Sequence, residues 1–327
     1  MRAGKRAFLC ALTAVLSIEP AHAASSDSGY PLQKPIRLVV PFTAGSATDI
    51  MARLVGSRLA DLWSRQVVTD NRPSAGGIVA CQTVAEAAPD GHTLLVTGSN
   101  FAGSAALYSK LPFDSVRDFA GVSQLGSTPL VLVVSPSLGP KSVNELIALA
   151  REKPGQLNFA STGLGSGTHY GAELFKLSAG IAAVHVPYRG TPESLTDLMA
   201  GRVHFFIAPV LVATPLIKGG KVLGLAVTGA QRAAPLPEIP TMAELGLPKA
   251  GYEGWYAMLA PAKTPRRIVN LLAKKVGEIL DQSDIREKIA TQGASAKPSA
   301  PEALDRMIRD EIETRRKVWQ AAGVKVE

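Results

Sequence analysis

The chain has 327 residues, 46% of them hydrophobic and 19% charged, with a formal net charge of +8. That is enough apolar surface to offset chain entropy, which excludes extended disorder, and enough length for two ordinary domains of about 100 to 200 residues. Cys10 and Cys81 are the only cysteines, which excludes a disulfide scaffold and any multi-cysteine zinc or iron–sulfur site.

At the N-terminus, Arg2, Lys5 and Arg6 precede the apolar run Ala7 to Ile18, and Ala21-His22-Ala23 supplies small residues around a polar one. This is the pattern of a secretory signal peptide cleaved after Ala23. A membrane anchor would need about 20 apolar residues. Cleavage removes three of the 35 basic and one of the 27 acidic residues, leaving +6 on the mature chain. Such a mild excess, on an exported chain, argues against a nucleic-acid partner. The polar stretch 24–29 is expected to be flexible. Cys81, among Ile78, Val79, Ala80 and Val84, reads as a small buried hydrophobe.

Short apolar runs then recur, at Ile36 to Phe42, Leu94 to Thr97, Val131 to Val134, Leu157 to Ala160, Val184 to Val186, Val203 to Ile207 and Leu223 to Thr228. Each reads as a buried strand. Between them the spacing turns helical, as where Ile50, Met51, Leu54, Val55, Leu59 and Leu62 share a face. Ser142 to Glu145 has the form of a capping box ahead of Leu146, Ile147 and Leu149. Alternation of this kind predicts an α/β architecture with largely parallel sheets. The chain passes between series near Val122 to Val134 and Leu245 to Pro261, then ends in helical patterns at Arg266 to Leu280 and Pro301 to Ala322. Two crossovers between two lobes would form a hinge. In the last helix, Arg315-Arg316-Lys317 follow Asp310, Glu311 and Glu313, which reads as a solvated face with i,i+4 pairs such as Glu311 and Arg315.

Two strand-to-helix turns concentrate Gly, Ser and Thr, at Pro41 to Asp49 and Ala160 to His169. Glycine lets backbone approach a ligand, and the free N–H groups and positive dipole of a helix start favour an anion. Ser46 and Ser166 fit N-cap positions, which puts Asp49 and His169 at the third helical residue. Neither turn has a phosphate-loop or dinucleotide signature. His92, His169, His185 and His204 share no metal-ligand spacing, and no catalytic motif occurs, so no metal, no cofactor and no enzymatic activity are expected. A hydrolase would have to use Ser166 and His169, with no third residue to complete them.

The stretches KPIRLVVPFTAG (34–45), NRPSAGG (71–77), Pro89-Asp90-Gly91, LPFD (111–114) and Asp118-Phe119 resemble the Bug-type receptors of tripartite tricarboxylate transporters. So do ASTGLGSGTH (160–169), HVPYRG (185–190), LAVT (225–228), Pro240-Thr241 and LAP (259–261), in the same order along nearly the whole mature chain. The resemblance implies a type II periplasmic binding protein of two α/β lobes. Residues 24–123 with 247–327 would form lobe 1 and 124–246 lobe 2, after a signal peptide over 1–23. It also implies capture of a small carboxylate by loops of both lobes, partly through backbone N–H groups and ordered waters. Carried onto this chain, the binding residues are Phe42, Ala44, Gly45, Ser46 and Asp49, and Ser161, Gly163, Gly165, Ser166 and His169, with Tyr188 and Asn100 at neighbouring strand ends. Ser46 stands where the family frequently has a second glycine, Ser74 and Ala80 replace glycines, and His92 replaces a common tyrosine. The implied role is that of a periplasmic monomer delivering its ligand to membrane permease subunits, or alternatively presenting it to a sensor kinase.

Overall fold

The computed structural model describes residues 30, 31 and 34–325; the signal-peptide reading, Cys10 and His22 lie outside them. In chain order, β1 (Ile36–Val40), α1 (Ala47–Trp63), β2 (Val67–Asn71), α2 (Ile78–Ala85), β3 (Thr93–Gly98) and α3 (Asn100–Leu107) lead into the long strand β4 (Phe119–Val134). There follow α4 (Val143–Glu152), β5 (Asn158–Ser161), α5 (Gly167–Ala179), β6 (Val184–Pro187), α6 (Thr191–Met199), β7 (Phe205–Pro209), α7 (Val210–Lys218) and β8 (Leu223–Val227). The chain closes with β9 (Glu253–Pro261), α8 (Arg266–Leu280), α9 (Ser283–Thr291), β10 (Ser295–Ala296) and α10 (Pro301–Ala321). Among the described residues no helix is long and apolar enough to cross a membrane.

All strands join one sheet in the order β2-β1-β3-β9-β4-β7-β5-β6, with β10 and β8 also on β4. The expectation of a largely parallel sheet is corrected to a mixed one. Strand β1 pairs parallel with β2 and β3, and β5 with β6 and β7, because a helix crosses over between them. Every pairing of β4 is antiparallel, as is that of β3 with β9. Strand β4 is the shared element: Phe119 to Pro129 pairs with β9, while Leu130 to Val134 pairs with β7. Apolar clusters cover both faces on each side of this change of partner. Two contain Leu38, Val96 and Met258, or Val39, Leu95 and Leu259; the other two contain Leu132, Phe159 and Ile207, or Val133, Ala160 and Phe206. Strands buried on both faces carry unbroken apolar runs, which is why they were legible as runs; the reading of Val184 to Val186 as buried is corrected, since β6 is an edge strand with Val184 exposed.

Local expectations are met where the chemistry is local. The Ser142 side chain accepts from the Glu145 N–H at 3.2 Å, and Glu145 accepts in turn from the Lys141 N–H at 2.8 Å. Cys81 is buried in the core, and burial pushes its thiol well above the usual range.

Helix α10 corrects the reading of its charge cluster. Leu304, Ile308, Ile312, Arg315 and Trp319 recur at helical spacing and form its buried stripe. Arg316 and Lys317 are exposed, but Arg315 is 0% exposed. It keeps the anticipated i,i+4 partner, donating from Nε to Glu311 Oε1 at 2.7 Å, and its guanidinium lies 4.2 Å from the Tyr170 ring and 5.3 Å from that of Tyr252. Trp255 Nε1 also donates to Glu311, and Arg315 donates to the Tyr252 hydroxyl. The helix therefore ties strand β9 to α5. Removing one partner of a buried pair strands the other charge. Glu311→Gln is expected to cost about 3 to 5 kcal/mol in urea unfolding, and the double substitution Arg315→Met/Glu311→Met clearly less.

Candidate functional site

Five helices start at one place. At the C-terminal ends of β1, β3, β5 and β7 and after β6, the chain turns into α1, α3, α5, α7 and α6, and their first residues surround a single cavity. Ser46, Ala47 and Thr48 come from α1, Ser99 and Asn100 from α3, Gly167 and Thr168 from α5, Thr191 from α6 and Pro209 from the start of α7. Phe42, Leu130, Trp255 and Tyr256 supply an apolar and aromatic wall, and Thr162 adds a hydroxyl. None of the residues lining the cavity carries a charged side chain.

The donors are therefore backbone. Each helix start leaves its first N–H groups without an intrahelical acceptor. Among the described residues no acceptor is found for the N–H groups of Ala47, Thr48, Gly167 or Thr168. The two Gly-rich turns differ here. Ser166 caps α5 in the ordinary way, accepting from the His169 N–H at 3.2 Å. Ser46 occupies the N-cap of α1 in extended conformation, but its side chain does not cap that helix; it accepts instead from the Thr191 N–H across the cavity, at 3.2 Å.

Side chains behind the cavity hold these turns in place. Asp49 accepts from the Gly45 N–H at 2.9 Å, from Arg53 Nε at 3.0 Å and from Asn71 Nδ2 at 2.9 Å, and Asn71 also donates to the Phe42 carbonyl at 2.9 Å. Burial pushes the Asp49 carboxyl up, but the hydrogen bonds from Arg53, Gly45 and Asn71 outweigh it and hold the group below the usual carboxylate range. Under the second turn, Ser161 Oγ accepts from the Gly163 N–H at 3.0 Å and meets His185 Nε2 at 2.6 Å. His169 Nδ1 accepts from the Gly165 N–H at 3.3 Å. Gly163 and Gly165 have φ of +112° and +78°, a left-handed backbone that side-chain-bearing residues resist. The His169 and His185 rings stack 4.0 Å apart and nearly parallel. Burial lowers both, with His185 pushed down to about 2, so the stack is neutral and His169 is free to accept.

Of the residues anticipated from the sequence, Phe42, Ser46 and Asn100 line the cavity. Ala44 and Gly45 are exposed at its mouth, while Asp49, Ser161, Gly163, Gly165, Ser166 and His169 lie one layer behind, making the bonds just described. Tyr188 is turned away, with its hydroxyl on Asp197 at 2.8 Å. Asn100 is held by its amide: Oδ1 accepts from Thr97 and from the Gly98 N–H, and Nδ2 donates one of its two N–H groups to the Gly76 carbonyl. Ser166 and His169 do not form a nucleophile–base pair, since the imidazole reaches Gly165 and Glu173 and not the Ser166 hydroxyl. Sequence reasoning missed Thr48, Thr162, Gly167, Thr168, Thr191, Pro209, Trp255 and Tyr256. The signal for most of them was the strand-end rule, by which ligands sit beyond the carboxyl ends of strands in α/β sheets.

The two sides of the cavity approach each other closely at two glycines. A Cβ placed on Gly103 would fall 1.9 Å from the Gly165 carbonyl oxygen, and one on Gly190 would fall 1.9 Å from Thr43 Oγ1. Thr43 Oγ1 also donates to Glu193 Oε2 at 3.0 Å.

The family model for the tripartite tricarboxylate transporter family receptor matches residues 51–324. BugT of Bordetella pertussis is 36% identical over 304 residues, covering 92% of this chain and 93% of that one. Among solved structures, a protein of R. palustris determined with adipate is 35% identical with a TM-score of 0.86, over 89% of this chain and 98% of its own. MatC of Rhodopseudomonas palustris, with bound malate, is 32% identical at a TM-score of 0.83, over 87% and 98%.

Two outcomes follow from the geometry. Gly103→Ala is expected to hold the mouth apart, raising the radius of gyration in small-angle scattering. In contrast, Gly277→Ala in α8, where a Cβ meets nothing within 4 Å, should leave scattering unchanged and stabilise by about 0.5 to 1 kcal/mol. For Asp49, a depressed folded value means stability that is present above the unfolded value and lost as pH falls through the folded one. Wild type should therefore exceed Asp49→Asn by about 1 to 2 kcal/mol at neutral pH, with the gap closing as pH drops below the ordinary carboxyl range.

Proposed function

The chain belongs to the tripartite tricarboxylate transporter receptor family, and from that premise we propose that it is a periplasmic solute receptor that captures a small carboxylate between two lobes and delivers it to membrane permease subunits. The observation that carries this reading is the convergence of five helix starts on a cavity without a charged side chain. Uncompensated N–H groups and the positive ends of helix dipoles form an anion seat that needs no lysine or arginine.

In this reading the ligand carboxylate is held by the N–H groups of Ala47, Thr48, Gly167 and Thr168, with hydroxyls from Thr48, Thr162 and Thr168 and a wall of Phe42 and Trp255. Asp49, Ser161, Gly163, Gly165, Ser166 and His169 act as positioning residues for the two turns, Ala44 and Gly45 shape the mouth, and no bond of the ligand is broken. The lobes comprise 24–123 with 247–327, and 124–246, with β4 running from one into the other. Residues 1–23 direct export and are removed after Ala23, and the mature receptor acts as a monomer. Adipate and malate in the neighbouring structures support the ligand class.

The mature protein, unfolded and refolded to remove carried ligand, is expected to melt at higher temperature with carboxylates and not with neutral sugars. Binding the native state alone adds about 2.7 kcal/mol at a hundredfold excess over Kd. Trp255 lines the cavity, so its emission should change along with melting. Shifts confined to sugars or cations would overturn the reading.

A further inference from the structure

Most polar side chains that line the cavity are already engaged within the protein. Ser46 Oγ accepts from the Thr191 N–H at 3.2 Å, Ser99 Oγ accepts from the Trp255 N–H at 2.9 Å, and the Thr162 and Thr168 hydroxyls meet at 3.1 Å. Thr48, Thr191 and Tyr256 differ: among the described residues their hydroxyls make no hydrogen bond, and none of the three oxygens is sealed from solvent. Two of these belong to the carboxylate seat. Thr48 is the second residue of α1, and Thr191 adjoins the same seat because Ser46, its partner, directly precedes Ala47. Tyr256 has a separate origin, in the middle of β9, where it pairs with Gly98 of β3 and Gly126 of β4. Its ring belongs to the apolar cluster that holds Ala47 and Met51 of α1 and Leu211 of α7.

The Tyr256 side chain is thus a polar group in the part of the cavity otherwise walled by Phe42, Leu130, Pro209 and Trp255. Burial pushes its phenol above the ordinary range, so the group keeps its hydrogen and offers both a donor and an acceptor. A ligand that fills the cavity shuts water away from this hydroxyl. A plain hydrocarbon chain would leave it buried without a partner, whereas an oxygen on the chain would pair with it, and a site that buries a hydrogen-bonding group rejects the analogue lacking the complement. An ammonium substituent suits the place less well, because no acidic side chain lines the cavity and the helix starts turn their positive ends toward it.

We propose that Tyr256 is a specificity-determining residue whose hydroxyl pairs with an oxygen substituent on the ligand's carbon chain, so that the preferred ligand is a hydroxy- or oxo-carboxylate and not a plain alkanoate. This rests on the carboxylate-receptor reading above and narrows it. The direct test is calorimetric titration of butyrate against its hydroxy derivatives and of succinate against malate, on wild type, Tyr256→Phe and Thr191→Val. Wild type is expected to bind the best hydroxylated member of at least one set about tenfold more tightly than the plain acid. Tyr256→Phe keeps the ring and removes the oxygen, so it should bring that ratio to within about threefold by weakening the hydroxylated ligand. Thr191→Val removes a hydroxyl beside the carboxylate seat and should weaken both members alike, leaving the ratio unchanged. Each ratio is read within one protein, which cancels any general loss of affinity. Plain acids that bind wild type as tightly as their hydroxylated partners in both sets overturn the assignment while leaving the receptor reading intact. So does a preference that survives Tyr256→Phe, or one that Thr191→Val alone removes. If none of these carboxylates binds, while wild type remains folded by circular dichroism, the receptor reading fails and the assignment with it.

Discussion

An anion held by backbone N–H groups demands that helix starts from separate parts of the chain arrive at one point, because each contributes a partial charge that fades within its first turn. Everything else in the molecule serves that convergence. Parallel pairing of β1 with β3 and of β5 with β7 points the carboxyl ends of each pair the same way, so that α1 and α3 start together, as do α5 and α7. Strand β4, pairing with β9 along one part and with β7 along the other, brings the two groups into one sheet and their helix starts face to face. An antiparallel strand is the simplest joint for this purpose, since it carries main-chain hydrogen bonds from one group directly into the next.

Charges are placed accordingly. The buried or half-buried ionic groups form closed sets behind the turns: Asp49 with Arg53, Glu173 with His169 and Lys176, and Glu311 with Arg315. Each set pairs its opposite charges, so the potential in the cavity is left to helix dipoles and peptide groups. A lysine or arginine in the cavity would bind an anion more strongly in isolation but would have to be desolvated whenever the mouth closed without one. Peptide dipoles carry a smaller desolvation cost and are already oriented, which suits a receptor that must release what it binds. Among the donors of the α6 turn, the Thr191 N–H has been given to Ser46, which makes this turn the exception.

The sequence was most informative about local matters. The runs at Ile36, Leu94 and Leu223 became β1, β3 and β8, and the Ser142 cap formed as its side-chain chemistry requires. Both Gly-rich turns border the cavity, and the residues that line it there stand one or two positions away from several of those anticipated as ligand contacts. The reason lies in helix geometry. At a helix start the N-cap and third residues fold back to bond the turn, as Ser166 does with the His169 N–H and Asp49 with the Gly45 N–H. The first and second residues, Ala47 and Thr48 or Gly167 and Thr168, are left with N–H groups directed outward. Thr191, Pro209 and Trp255 stand in no cluster of Gly and Ser, and only the strand order brings them to the cavity. Arg315 was misread because charge suggests solvent, whereas its spacing from Ile308, Ile312 and Trp319 places it on the buried stripe.

The contacts at the mouth set how such a structure can respond. The Thr191–Ser46 and Thr43–Glu193 hydrogen bonds are each worth about 0.5 to 1.5 kcal/mol at most, and the second is exposed. The approaches of Gly103 to Gly165 and of Gly190 to Thr43 add close packing over a small area, which steric fit permits but does not drive. Their sum is a few kcal/mol, similar to what a ligand contributes at a hundredfold excess over its dissociation constant. Substitutions at these contacts act on how the two sides meet, while substitutions at Asp49 or Ser161 act on the shape of the turns. The close approach explains why small residues occur at the points of contact: a single methyl group at Gly103 would fall 1.9 Å from the Gly165 carbonyl oxygen.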